Sequence, residues 1–493
     1  MPNHQLSKST ILRGIQCSKS LYLYKHNYEL RSTDSSNQQS IFESGTEVGL
    51  LARNLFPDGV DASSNQGFKM KESVEKTRDY IDAGETVIYE ATFVYDDVLV
   101  AVDILVKTGD SWNAFEVKSS TSISDTNILD AAVQYHTIVN SGINLNDISI
   151  IYINNSYIKN GQLEVDRLFS IESVLENVII KQADIQLEIQ RLKEVINAPT
   201  VPEIGIGEHC LVPYACDFKE HCWKHIPKYS VFDISRLKKA KKFELYDNGI
   251  LTLDDVFNSE TKLSQNQALQ VTAEIEGRTH INKQKIGEFI AELRYPLYYL
   301  DFEAINPAIP LYDNTKPYQQ VVFQYSLHIQ DSADSALIHK EYLAEPSENP
   351  QSRFVEQLID ECGTDGDILV YNIGFERSRL KELMEIYPDS ADKLESIINR
   401  LTDLMIPFSK KWYYTPEMRG SYSIKAVLPA LVPELSYNDL VIQEGGTASN
   451  TFLSMIYNKY EGDVEKTRLH LLKYCELDTL AMVKILDFLQ TTI

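Results

Sequence analysis

Residues 98–118 read VLVAVDILVKTGDSWNAFEVK, and this stretch decides the fold of the first half of the chain. Apolar residues crowd VLVAVDILV, Gly109-Asp110 supplies a turn, and NAFEVK returns as a second strand. VIYEATFVY precedes them at 87–95 through the turn-forming Asp96-Asp97, and SIIYIN follows at 149–154. A helical stretch from about Thr126 to Ser141 lies between the third strand and the fourth. Strands, a crossover helix and a further strand predict an α/β sheet. Inside it, Asp103 is a charge in an apolar strand, which is costly unless it has a task. Period-two alternation sends Glu116 and Lys118 to one face.

Such a set suits phosphodiester hydrolysis. Carboxylates hold a divalent metal that activates water, and a lysine orients that water or neutralises charge. Asp…Glu-x-Lys on adjacent strands resembles the PD-(D/E)xK nuclease superfamily. Gln134-Tyr135 on the following helix resembles the Gln/Tyr motif of its RecB-type branch, and Gly45-Thr46-Glu47-Val48-Gly49 resembles that branch's first helical motif. Gly49 departs from it, standing where many members carry a metal-binding histidine, with Glu47 a nearby substitute. The resemblance implies that Asp103 and Glu116 hold metal, Lys118 orients water and Gln134 positions substrate. A surface ion pair between Glu116 and Lys118 is the alternative the sequence leaves open.

Cys210, Cys216 and Cys222 lie in CLVPYACDFKEHCW with five residues between neighbours, and Cys17 stands far upstream. Three close cysteines plus one distant one resemble the clasp of RecB-type nucleases, AddB and the CRISPR-associated exonucleases. That resemblance implies a [4Fe-4S] cluster tying the N-terminal helix to the end of the nuclease domain. Zn2+ is the rival, since four thiolates also suit it, although the close C-x-x-C pairs of zinc ribbons are absent. His209 and His221 are read as bystanders.

A second α/β pattern opens with YYLDFEAI at 298–305, which places Asp301 and Glu303 on one face of a buried strand. Two carboxylates there raise one another's pKa unless a cation lies between them. DILVYNIGFE brings Asn372 and Glu376 to a strand-to-helix junction, and LLKYCELDTLAM puts Tyr474 and Asp478 at i, i+4 on a helix. In this order they resemble the three motifs of DnaQ-like (DEDD) 3′–5′ exonucleases. The resemblance implies that Asp301, Glu303, Glu376 and Asp478 bind two metals, with Tyr474 beside the nucleophile. Glu376 departs from the usual aspartate, and Asp403 in NRLTDLMIPF is an alternative or additional acid. YYLDFEAINPAIPLY, FQYSLHI, GSYSIKAVLPAL and YCELDTLAM together resemble an uncharacterised bacterial family. In it a RecB-like nuclease precedes a domain of unknown function with exonuclease-like motifs.

At 493 residues the chain is too long for one ordinary core. The expected organisation is a PD-(D/E)xK restriction-endonuclease-like domain over 1–228, a helical connector over 229–290 and an RNase H-like exonuclease domain over 291–493. The connector's SRLKKAKKFELYDNGILTLDDVF concentrates lysines around Asn248-Gly249 and resembles a helix-hairpin-helix; an ordinary basic linker is the alternative. Residues 171–197 have helical periodicity. Trp412-Tyr413-Tyr414, after Lys410 and Lys411, offer rings either for stacking single-stranded bases or for core packing.

The net charge of −24 argues against non-specific DNA coating but not against catalysis, which needs only a local basic strip. No apolar run is long enough for a membrane span and the start lacks a secretory signal, so a cytoplasmic location is expected. The expected reaction is Mg2+- or Mn2+-dependent phosphodiester hydrolysis at two separate sites, on DNA and from an end, in DNA repair or defence. One alternative is RNA as substrate; another is a non-catalytic subunit that binds nucleic-acid ends for a helicase or repair complex. With no G-x-x-x-x-G-K-[ST] motif, any unwinding falls to a separate helicase.

Overall fold

A computed structural model describes residues 5–32, 45–64 and 70–493. The protein is α/β, and the chain divides into two compact units. The first comprises residues 1–225 with Pro307–Tyr318, the second Ile226–Asn306 with Gln319–Ile493.

In the first unit, β1 (Val87–Tyr95), β2 (Val98–Thr108) and β3 (Ser111–Lys118) form an antiparallel meander. Asp96 and Asp97, with φ of 46° and 58°, make the two-residue turn whose twist matches the flanking strands. A crossover helix, α3 (Asp125–Asn140), capped by Ser124, leads to β4 (Leu145–Ile153), parallel to β3. β5 (Phe169–Ser173) returns antiparallel. The residues 171–197 expected to be helical therefore begin in a strand, whose ladder with β4 overrides the local helical periodicity; α4 (Gln182–Asn197) follows.

Upstream, Leu6–Ser7 pairs parallel with the start of β2 and leads at once into α1 (Lys8–Gln16), followed by α2 (Ser18–His26). One face of the sheet packs Ile88, Val100 and Val102 against Ala132 and Val133 of α3 and Ile189 and Leu192 of α4. The other buries Tyr89, Ile104, Phe115 and Ile151 with Val48 and Ala52 from the helical residues 45–52.

Strict alternation fails at one place. Val98, Val100 and Val102 face the first core, yet Ile104 faces the second and Leu105 the first. Opposite, Glu90 takes the left-handed conformation (φ 54°), and the β1–β2 ladder skips Glu90 and Asp103. Both strands change phase there, and that kink sets where the Asp103 carboxylate goes.

In the second unit β6 (Leu297–Ile305) is central. β7 (Val321–Gln330) lies antiparallel to it and β8 (Ile338–Leu343) antiparallel to β7. On the other side β9 (Asp367–Val370) and β10 (Leu401–Asp403) run parallel, giving the order β8-β7-β6-β9-β10. Phe302 on one face of β6 meets Phe354 of α5 (Gln351–Glu361) edge-on. The opposite face of β6 carries Asp301 and Glu303, and there β6 packs against α8 (Gly445–Ile456) and the long α9 (Val464–Thr491). Two further helices, α6 (Gly374–Ile386) and α7 (Ile424–Leu431), complete the surroundings.

The connector residues belong to this second unit. Helices Lys239–Asp247 and Leu253–Phe257 turn through Asn248-Gly249, with Gly249 at φ 74°. Leu245, Leu253 and Val256 share a core with Val231 and Val271. His280–Ile281 pairs with Tyr413–Tyr414, and the Tyr414 hydroxyl donates to Glu274 at 2.7 Å. Tyr413 and Tyr414 are therefore core rings rather than a stacking platform, because they cover connector segments. Among the described residues no helix is long and apolar enough to cross a membrane.

Candidate metal centres

The first centre gathers on β2, β3 and α3. Asp103 Oδ2 accepts from the Val117 backbone N–H at 2.6 Å across the hairpin. Glu116, 3% exposed, accepts from Lys118 Nζ at 2.6 Å and from Gln134 Nε2 at 2.7 Å. The four residues singled out in this half of the sequence are thus brought together. Two more that sequence reasoning missed complete the group. Lys8 at the start of α1 reaches Glu116 Oε1 at 2.7 Å, and Asp130 on α3 accepts from Lys118 at 2.5 Å. Asp130 lies four positions before Gln134, one helical turn on the same face, which is the signal that would have found it. Nothing local marks Lys8; only the pairing of Leu6–Ser7 with β2 carries it there.

Burial and the neighbouring Glu116 push Asp103 up to about 8. Burial also works against charge on Glu116, but Lys8 and Lys118 outweigh it and hold that carboxylate below its ordinary range. Of the two acids Glu116 is the one held in its charged form, because both ammonium groups point at it. Asp130 Oδ1 and Gln134 Oε1 are buried without hydrogen-bond partners, so acceptor capacity is left over inside the group. Glu90, in its strained conformation, is tied by Arg53 at 3.0 Å and adds to the negative surroundings of Asp103. Glu47 lies in the helical residues 45–52, beside Val48 of the second core cluster.

The cysteines come next. Cys17 caps α2, its Sγ accepting from Ser20 N at 3.4 Å. The 210–222 segment is fastened to α1 by Arg13, which donates twice to Asp217 at 2.6 and 3.0 Å. Gln16 adds bonds to the His209 and Tyr214 carbonyls, both at 2.7 Å. Cys216 N donates to Cys210 O at 2.9 Å. All four thiols are free, and Cys17 and Cys222 each feel Cys210 and Cys216; burial chiefly raises both of their pKa values. Among the described residues they do not form a group with all ligand atoms within 4.8 Å of one another. Tetrahedral zinc would require sulfurs only about 4 Å apart.

In the second centre Asp301, Glu303 and Asp478 each offer an oxygen, all within 4.8 Å of one another. Asp301 and Glu303 come from alternate positions of β6, and Asp478 projects from α9. Burial, then repulsion from Asp478 and Glu303, drives Asp301 well above the usual carboxylate range. Burial and Asp478 push Glu303 up to about 8. Asp478 reaches only about 6, because burial is opposed by the Tyr437 hydroxyl, which donates to its Oδ1 at 2.5 Å, and by Lys425. Lys425 Nζ stands 5.5 Å from the ring centres of Tyr437 and of Tyr474, the tyrosine one turn before Asp478. A Cβ on Gly445 would come 3.4 Å from Glu303 Oε2, so the missing side chain keeps the space beside that carboxylate open.

Glu376 stands outside the tight triad. It is 2% exposed, its Oε2 lacks a hydrogen-bond partner, and burial, with Asp403 nearby, raises it to about 8. Asp403 Oδ1 accepts from the backbone N–H groups of Asn372 and Met405 at 3.0 and 2.9 Å. It thereby anchors the junction where Asn372 (φ 76°) turns the chain into α6. Cys475 is buried against Asp301. Tyr437 and Lys425 are the residues missed here. Lys425 sits on the polar side of an amphipathic helix and Tyr437 in the loop after it, positions that carry no motif, and the folding of α7 and its following loop over α9 brings them in.

Fold and sites thus define an α/β protein with two separate, carboxylate-rich centres. The family described as a domain of unknown function, DUF2779, matches residues 298–423, which include Asp301, Glu303, Glu376 and Asp403 but not Tyr474 or Asp478. The chain is 30% identical over 234 residues to the uncharacterised protein UU173 of Ureaplasma parvum serovar 3, covering 43% of this chain and 33% of that one. It is 29% identical over 213 residues to the uncharacterised protein MG366 of Mycoplasma genitalium, covering 40% and 32%. The chain spans about a third of the length of the curated relatives it matches.

Proposed function

We propose that this chain is a metal-dependent nuclease with two hydrolytic centres, acting on DNA. The observation that carries the reading is the triad Asp301, Glu303 and Asp478: one half-buried and two buried carboxylates whose ligand atoms lie within 4.8 Å of one another. Such a set is held against its own repulsion for the sake of a cation. Asp301, Glu303 and Asp478, with Glu376 behind them, would hold Mg2+ or Mn2+, which when bound polarises phosphate and lowers the pKa of water. Tyr474 orients the attacking water, Tyr437 keeps Asp478 charged, and Lys425 at the rim neutralises developing charge on the scissile phosphate.

At the first centre, Asp103 and Glu116 would hold the metal, Lys118 orients water and Gln134 fixes Glu116. Cys17, Cys210, Cys216 and Cys222 are assigned to a [4Fe-4S] cluster, a wider cage than zinc. The Arg13–Asp217 pair and the Gln16 bonds already bring α1 to the cysteine segment. A non-catalytic reading of the first centre has its own support: Lys8 and Lys118 already balance the charge of Glu116 and Asp130.

The deciding experiment is digestion of end-labelled single- and double-stranded DNA and RNA with Mg2+ or Mn2+. Anaerobically prepared wild type is compared with Glu116→Ala, Asp301→Ala and the double variant. Loss of a distinct activity in each single variant supports two centres. Loss only in Asp301→Ala supports the non-catalytic first centre. Preference for RNA would correct the substrate, and binding without cleavage would overturn the nuclease.

A further inference from the structure

Beyond both centres, the second unit holds His328 on β7, His339 on β8 and Glu476 on α9, each offering one ligand atom within 4.8 Å of the others. The hydrogen bonds around them determine which ring nitrogens carry protons. Thr479 Oγ1 donates to the Glu476 carbonyl, which can only accept, at 3.0 Å. With its one hydrogen committed, Thr479 accepts from His328 Nδ1 at 2.8 Å and from the Ser326 hydroxyl at 2.7 Å. Ser326, having donated, accepts from His339 Nε2 at 2.9 Å.

The chain of bonds thus places hydrogen on Nδ1 of His328 and Nε2 of His339. It leaves lone pairs on His328 Nε2 and on His339 Nδ1, the latter 3.9 Å from Glu476 Oε1. An imidazole whose far N–H is held by a hydroxyl, with its other nitrogen free, is prepared as a metal ligand. A lone pair facing a carboxylate, with a second imidazole alongside, calls for a cation between them. Two imidazoles and a carboxylate are the ligand set of Zn2+ rather than of Mg2+. His328 is 3% exposed, and its ring stacks on that of His339 with 4.5 Å between centres.

We propose that His328, His339 and Glu476 form a site for a zinc-class divalent transition metal, separate from the carboxylate centre. It would fasten the β7–β8 hairpin to α9, the helix that carries Tyr474 and Asp478, and its role is structural. The site does not rest on the nuclease reading.

The test measures Zn2+ retained per chain by full-length protein that has been stripped with chelator, reloaded and dialysed. Wild type is compared with His339→Ala, Glu476→Gln and a Glu465→Gln control, an exposed acid in the first turn of α9. Both His339 and Glu476 are partly exposed, so their replacement spares the core. The expected result is one Zn2+ fewer in His339→Ala and in Glu476→Gln, with unchanged circular dichroism, and the wild-type Zn2+ content in Glu465→Gln. Equal Zn2+ content in wild type and both variants would overturn the site. X-ray absorption of the Zn2+-loaded wild type removes dependence on variants: imidazole scattering supports the proposal, and sulfur ligation alone refutes it.

Discussion

Lys8 Nζ lies 2.7 Å from Glu116 Oε1, although 108 positions separate them in the chain. The first residues after a two-residue strand thereby supply half of the positive charge facing a buried carboxylate. Lys8 also stands 3.5 Å from Asp130 Oδ1, which has no other donor. Lys8→Ala is expected to destabilise the metal-free chain by about 1–3 kcal/mol. That is less than the ~3–5 kcal/mol for breaking a fully buried pair, because the Lys8 side chain is 24% exposed. Added Mg2+ should recover part of the loss, since a cation beside Glu116 replaces the ammonium. Melting curves with and without Mg2+ check this; a variant as stable as wild type in chelator would show that the pair contributes nothing.

The second centre makes stability depend on pH in a defined direction. Glu303 and Glu376 are raised to about 8 and Asp478 to about 6, chiefly by burial, and Asp301 is raised well above the usual carboxylate range by burial and then by its acidic neighbours. The folded chain therefore holds protons that the unfolded chain releases. The resulting stabilisation is complete below the unfolded carboxylate range, near pH 4, and is lost as pH rises through about 6 to 8. Glu116 has the opposite sign only below the usual carboxylate range. His328, held down to about 4 chiefly by burial, adds stability as pH rises from there to its unfolded value of about 6.5 and opposes the trend over that interval. Metal-free Tm should fall from about pH 6.5 to pH 8. Mg2+ should raise Tm more at the upper end, where the carboxylates are free to bind it. Asp301→Asn should flatten the slope and raise the metal-free Tm while removing the second centre's share of the Mg2+ effect. Thermal scans across pH with chelator and with Mg2+ measure all three.

The cysteine assignment predicts a coupled loss of colour and stability. Cys17 and Cys222 lie at opposite ends of the first unit's chain, so a cluster between them closes a loop of roughly two hundred residues. Cys210→Ser, purified anaerobically, should lose the visible absorption of the cluster and on the order of a few kcal/mol of stability. Cys475→Ser should retain the absorption, since that thiol is buried against Asp301 in the other unit. Iron content, absorption and urea unfolding test this. Colour retained in Cys210→Ser would remove that residue from the ligand set.

Much of this architecture is legible in the sequence because the strands that carry the acids are strongly patterned. Asp103, Glu116, Asp301 and Glu303 each interrupt an apolar run, and turn residues bound those runs. What escaped has a physical cause in each case. Glu90 and Asp103 break alternation through a left-handed residue in mid-strand, which period-two counting cannot anticipate. Residues 169–173 pair as an edge strand although their periodicity continues a helix. Lys8, Lys425 and Tyr437 reach their sites through tertiary packing of short segments, and lysines and tyrosines outside a motif look like ordinary surface. The connector's lysines suggested a separate element, whereas its apolar residues close a core within the second unit.

Tyr437 offers the sharpest separation of positioning from chemistry. Its hydroxyl donates to Asp478 Oδ1 at 2.5 Å, opposing the burial that raises this acid. Tyr437→Phe keeps the ring, which lies 6.3 Å centre to centre from Tyr474, and removes only the donor. A hydrogen bond to a charged group contributes about 1.5–3 kcal/mol, so Mg2+ affinity at the second centre should weaken by roughly tenfold or more. Asp478 without that donor holds its proton to higher pH, so the acidic limb of the activity profile should move upward while activity at saturating Mg2+ and high pH returns towards wild type. Tyr474 also helps to hold Asp478 down, so Tyr474→Phe should shift the acidic limb as well, but its activity should stay low at high pH and saturating Mg2+, because Tyr474 is assigned to the attacking water. Mg2+ titrations of nuclease rate across pH for the two variants distinguish these roles; identical profiles would mean that Tyr437 does not set the charge on Asp478.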